Sequence, residues 1–208
     1  RSCLGVALSA VTACGSPSAS RPTGPTRDTR ERAYRANNAG VALLEQLKYP
    51  EAAEAFTKAI GIDSSLGIAH LNLSLALLYD QKLDEAAKEA SAAASRMPNA
   101  PQPPYVLGLI ARAQNRNGDA RGYFDKVRTI DPADVGVTVN LAQIDLEDRE
   151  YDRAATALQP IVEREPYHVT ASYVLGLALT RSGKTDEGQV LLNKAQELRR
   201  ANYAVTFG

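Results

Sequence analysis

The sequence predicts an all-α fold, a right-handed α-solenoid of five helical hairpins. Two observations predict it. Small residues recur at a spacing of 34 in two columns: Gly40, Ser74, Gly108, Ala142 and Gly176, and Ala52, Ala86, Ala120, Ala154 and Gly188. A third column, closing each unit, reads Ser64, Pro98, Pro132, Pro166 and Arg200. A fixed interval without insertion marks stacked units, none of which buries its apolar face alone. The composition agrees: alanine is abundant, Trp is absent and β-branched runs are few, which favours helix over sheet.

The chain begins with a signal-like segment, 1–14. Residues 2–13 are apolar and small. As a helix they rise only about 18 Å, short of the roughly 30 Å hydrocarbon core, so a secretory h-region fits better than a membrane span. The segment ends in Val11-Thr12-Ala13-Cys14-Gly15. This run resembles the bacterial lipobox, in which an aliphatic residue and two small residues precede the lipidated cysteine. The resemblance implies a lipid on Cys14. With no Asp after it, it also implies placement in the bacterial cell envelope on the periplasmic side of the outer membrane. Residues 15–30 follow, rich at first in Ser, Pro, Thr and Gly and without apolar period. They are expected to form a disordered linker that holds the array off the bilayer.

The array is expected over 31–202, in units 33–66, 67–100, 101–134, 135–168 and 169–202, with a tail at 203–208. The small columns let paired helices approach. The column Phe56, Ala90, Phe124, Leu158 and Leu192 fills the space between them. Asp84, Asp119, Asp152 and Asp186 stand where second helices begin and are expected to cap them. Pro50 suits a first turn, and Gly118 and Gly183 are expected in inter-helix turns. Pro103 and Pro104 should delay the first helix of the third unit. Pro160 should kink or shorten a second helix, at about 3 kcal/mol.

Tyr105-Val106-Leu107-Gly108 with Ile130-Asp131-Pro132, Tyr173-Val174-Leu175-Gly176, and Tyr49, Ala52, Phe56 and Ala59 with Ile62-Asp63 resemble the tetratricopeptide repeat family over about 33–202. One departure is that the aromatic that often opens the first helix is replaced by Ala36, His70, Pro104, Thr138 and Ser172. The resemblance implies a concave groove lined by first helices that binds a protein or peptide partner. Its wall would take Tyr34, Asn37 and Asn38 from the first unit, and Asn72, Leu75 and Tyr79 from the second. The third would supply Tyr105, Leu109 and Arg112, the fourth Asn140 and Gln143, and the fifth Tyr173, Leu177 and Arg181. Leu71, Gln102, Val106, Val139 and Val174 would lie beside them. Where one subtype of the family clamps a terminal carboxylate with basic residues, this chain has Gln102 and Val106.

Other functions find no motif. Lys and Arg number 24, as do Asp and Glu, so no basic surface predicts nucleic acid as a partner. The cysteines are Cys3 and Cys14, and the histidines are His70 and His168 with no ligand at helical spacing, so no metal site is expected. His70 is expected to pack and His168 to sit in a loop. Asp145-Leu146-Glu147-Asp148 reads as a solvated helix end. Phosphate-binding glycine loops and a nucleophile elbow are absent, so no cofactor and no catalysis are expected. The reading is a membrane-tethered adaptor. An alternative comes from Gln196–Gly208, which resembles the junction between such arrays and an FG-GAP β-propeller with an ASPIC/UnbV module. The chain would then be the interaction arm of a longer protein.

Overall fold

The computed structural model describes residues 24–201; Cys14, the signal segment, most of the expected linker and the tail at 203–208 lie outside the described residues. Among the described residues there are ten helices and no strand. They pair in order as α1 (Arg27–Glu45) with α2 (Tyr49–Ile62), α3 (Gly67–Tyr79) with α4 (Leu83–Arg96), and α5 (Gln102–Ala113) with α6 (Asn117–Ile130). Next come α7 (Val135–Glu147) with α8 (Tyr151–Arg164) and α9 (Val169–Arg181) with α10 (Thr185–Arg200). Each helix packs on its chain neighbours, the arrangement of a solenoid.

The small columns meet large partners. A Cβ on Gly40 would lie 2.6 Å from Cε1 of Phe56, and one on Gly108 2.5 Å from Cε1 of Phe124. Where the first helix carries Ser74 or Ala142 instead, the facing column supplies Ala90 or Leu158. Volume is therefore exchanged across the first four hairpins, and all these partners are fully buried.

Every first helix ends the same way. Backbone N–H groups of Lys48, Lys82, Arg116, Glu150 and Lys184 donate to the carbonyls of Leu43, Leu77, Ala111, Asp145 and Leu179 at 2.8–3.0 Å. The residue before each donor takes a left-handed conformation: Leu47 (φ 60°), Gln81 (61°), Asn115 (58°), Arg149 (65°) and Gly183 (96°). This is the Schellman C-cap, repeated at the array's own interval. Gly183 lies in its turn as expected, but Gly118 does not. It is the second residue of α6, and Asn115 makes the turn.

Three further expectations are corrected. The N-caps of α2, α4, α6, α8 and α10 are Lys48, Lys82, Arg116, Glu150 and Lys184, and none accepts through its side chain. Asp84, Asp119, Asp152 and Asp186 sit inside the first turns, where the helix dipole favours their charge without a cap bond. Side-chain caps occur at Thr26, Asp134 and His168. His168 is thus a buried cap, its Nδ1 accepting from the Ala171 N–H at 3.1 Å, rather than a loop residue. Thr26 starts α1 at Arg27, inside the stretch expected to be linker.

Proline has smaller effects than predicted. α8 keeps 14 residues, the length of α2, α4 and α6, so Pro160 does not shorten it. Pro160 and Thr156, whose carbonyl it leaves without an intrahelical donor, are both exposed to solvent. Pro103 and Pro104 occupy the first turn of α5, where amide donors are unpaired in any helix. α5 starts one residue later than the 34-residue step from Gly67 would place it.

The cores run on from hairpin to hairpin, but the seam between α6 and α7 differs. Elsewhere the second helix presents Ala53, Ala87 or Ala155 and Ile60, Ala94 or Val162 to the next hairpin. At the same positions α6 carries Arg121 and Arg128. Ions and amides bridge this thinner contact. Arg121 reaches Asp145 at 2.8 Å and Asp148 at 2.9 Å, and Asn117 donates to Glu147 at 2.6 Å. Asp145, expected on a solvated helix end, is 5% exposed and also accepts from Arg153 at 2.6 Å. Burial alone would raise its carboxyl pKa. Hydrogen bonds from Arg153 and Arg121, with their charges, outweigh that and hold it below the ordinary 3.8. His70 is buried as a packing residue, with Nδ1 2.6 Å from Glu89 Oε2 and Nε2 3.3 Å from the Ser64 carbonyl.

Candidate functional site

Helical spacing sets which first-helix residues share a face. Leu71, Leu75 and Tyr79 fall four apart on α3, as do Tyr105 and Leu109 on α5 and Val139 and Gln143 on α7. Together they line a groove of about 580 Å³, joined by Pro101, Gln102, Val106, Asn140, the α7 cap Asp134 and Thr170. Leu71, Val106 and Val139 are buried and floor it, whereas Tyr79 is 54% exposed at its mouth. The Tyr79 ring stacks on Tyr49 with centroids 5.3 Å apart, a contact that fixes its direction.

A polar network underlies one side. Arg112 donates to Asn140 Oδ1 at 2.9 Å, to Gln143 Oε1, and to Glu147 Oε1 at 3.2 Å. Asn140, itself buried, donates to Tyr105 Oη at 3.2 Å and to the Gly136 carbonyl at 2.8 Å. Tyr105 also meets Phe124 edge to face at 5.7 Å. Its burial, and then the charge of Asp134, push the phenol pKa above 10.0 despite the Asn140 bond and Arg112. The ring therefore remains neutral at physiological pH and acts by shape and hydrogen bonding.

Of the expected wall, Leu75, Tyr79, Tyr105, Leu109, Asn140 and Gln143 come together in this groove, with Arg112 bound to its side. The asparagines of the first two hairpins engage one another. Asn72 Nδ2 donates to Asn37 Oδ1 at 3.0 Å, and Asn37 Nδ2 lies 3.4 Å from Asn38 Oδ1. Four residues stand apart. Tyr34 lines a cleft with Asp63, Ser65 and Met97. Tyr173 and Leu177 line another with Gln189, Leu192 and Arg199. The Arg181 guanidinium lies 6.0 Å from the Tyr151 ring. Val174 is buried core. Sequence reasoning missed Pro101, Asp134 and Thr170. An Asp immediately before the apolar run of α7 was the available signal for one of them.

Profiles of the tetratricopeptide repeat match residues 37–104, 71–135 and 139–202, and a second such profile matches 111–166. Similar solved structures include YrrB, a TPR protein with an unusual peptide-binding site. It is 18% identical, over 84% of this chain and 90% of that one, with a TM-score of 0.64. MamA from Desulfovibrio magneticus RS-1 is 17% identical over 84% and 98%, with a TM-score of 0.71. The first TPR of Spaghetti, bound to the HSP90 peptide SRMEEVD, is 19% identical over 57% and 94%, with a TM-score of 0.55. At such identities the likeness concerns the fold. No curated protein sequence matches the chain.

Proposed function

Because the chain belongs to the tetratricopeptide repeat family, we propose that it is a non-catalytic scaffold that receives a protein or peptide segment in the groove between α3, α5 and α7. One observation carries this reading. The first helices of three successive hairpins converge on one concave surface that has an apolar floor, two tyrosines at its walls and side-chain amides beside them. Such a surface suits a segment whose side chains enter between the helices while its backbone meets the amides. Peptide binding by YrrB and by the first TPR of Spaghetti is consistent with it.

The tether belongs to the same proposal. A lipid on Cys14, with the Ser-, Pro-, Thr- and Gly-rich stretch after it as tether, would hold the groove near a bacterial envelope membrane, where the scaffold would serve as an adaptor in a complex. Two measurements test the two halves. In an envelope extract, the chain should capture a partner that a Tyr79→Ala, Leu109→Arg variant does not. Capture equal to wild type for every partner would remove the groove from the account. In cells, labelled palmitate should enter the chain but not its Cys14→Ser variant, and equal labelling or none would refute the anchor.

A further inference from the structure

We propose that the segment taken by this groove is an uncharged, aliphatic stretch of polypeptide, and that acidic and basic segments are rejected; this rests on the groove being a binding site. Charge is the first argument. α3 contains no Asp, Glu, Lys or Arg at all. Among the described residues, Asp134 is the one charged residue lining the groove, and its carboxylate is engaged in capping α7 through the Val137 N–H at 2.8 Å. The nearest cation, Arg112, is already held by Asn140, Gln143 and Glu147. An acidic side chain or terminal carboxylate would have to break that set to gain a counter-charge. A lysine would meet only Asp134, at the expense of the α7 cap. Either charge would lose hydration against Leu71, Leu75, Val106 and Leu109 without adequate return.

The remaining polar groups favour a polypeptide over an acyl chain. Gln143 uses its carbonyl to accept from Arg112, while its Nε2 has no partner among the described residues, and neither has the Gln102 amide. Both line the groove and suit backbone carbonyls and amides. Three first helices packed at about 10 Å intervals span about 20 Å, the length of about six extended residues. An occupant of that length would present alternate side chains to the clefts between α3 and α5 and between α5 and α7.

The test is selection of short random peptides, displayed on phage, against the full chain. Peptides from the selection, blocked at both termini, are then measured by fluorescence anisotropy. The selected core should lack charge and carry two or more aliphatic or aromatic residues. Placing two Glu or two Lys in it should weaken binding at least tenfold. Leu109→Arg should also weaken it at least tenfold, and Tyr79→Ala, which removes a ring at the mouth and its stacking on Tyr49, at least threefold with the helical circular-dichroism signal kept at the assay temperature. Affinity should change less than about twofold when salt is raised to ~0.5 M. Selected peptides rich in Asp and Glu or in Lys and Arg that compete in the groove would overturn the inference while leaving the site intact. Peptides insensitive to both variants, or a groove closed by self-association of the chain, would overturn it as well. Selection of no peptide would remove the site and the inference together.

Discussion

The Cβ that Gly108 lacks would lie 2.5 Å from Cε1 of Phe124, the ring at the centre of the third hairpin. Gly108→Ala should therefore destabilise the array by about 1–3 kcal/mol through overpacking, and Phe124→Ala by about 3–5 kcal/mol through a cavity. The second hairpin solves the same position with Ser74 and Ala90. Gly108→Ser with Phe124→Ala should consequently be less destabilised than the two single changes added together. Urea denaturation measures this, and strict additivity would show that the columns do not exchange volume.

The left-handed C-caps make opposite predictions at two equivalent sites. Leu47 is 70% exposed at φ 60°, so Leu47→Gly loses little packing and relieves about 1 kcal/mol of backbone strain. Gly183→Ala, at φ 96°, imposes a cost of the same order. Denaturation midpoints should move up for the first and down for the second. Movement of both in one direction would contradict the C-cap account.

Asp145 ties stability to acid. Its folded pKa lies below 3.8, so its stabilising effect is complete where the unfolded carboxyl is also ionised, above about pH 5. The effect fades as pH falls through the folded value. Asp145→Asn should lower stability by about 1–3 kcal/mol at neutral pH. It should also flatten the fall between about pH 5 and 2. High salt should weaken the exposed Arg121–Asp148 arm of the seam more than the buried Asp145 contacts. A variant whose acid limb matches wild type would show that the seam does not depend on this carboxylate.

Ser172 is fully buried, and its hydroxyl has no hydrogen-bond partner among the described residues. Ser172→Ala should raise stability by about 1 kcal/mol, since it removes an unmet polar group at little change in volume. A lower melting temperature would mean that the hydroxyl is satisfied in solution.

Much of the fold was legible because helix pairing acts on residue size. Small columns, Pro columns and an unbroken interval locate every hairpin. The C-caps were concealed because only Asn115 and Gly183 are residue types that favour a left-handed conformation. Leu47, Gln81 and Arg149 are carried there by the hydrogen bonds of the motif. Gly118 was misread for the converse reason, since a glycine signals freedom without requiring its use. Asp145 looked solvated because its partners, Arg121 and Arg153, come from neighbouring helices that a run of acidic letters does not reveal.

The groove was legible only in part. The family resemblance puts certain first-helix positions on one face, and four of them, Leu75, Tyr79, Tyr105 and Leu109, line one groove. The same resemblance puts Tyr34 and Tyr173 on that face too, yet they line separate clefts. The engagement of Asn37 with Asn72 and of Arg112 with Asn140 depends on inter-hairpin distances that no single unit encodes.

The most direct test of the groove as a binding surface is site-specific photocrosslinking in living cells. A photoreactive amino acid at position 109, on the groove wall, should trap a polypeptide partner, while one at position 58, exposed on the outer helix α2, should not. Equal crosslinking at both positions, or a partner trapped at 58 and never at 109, would contradict the account.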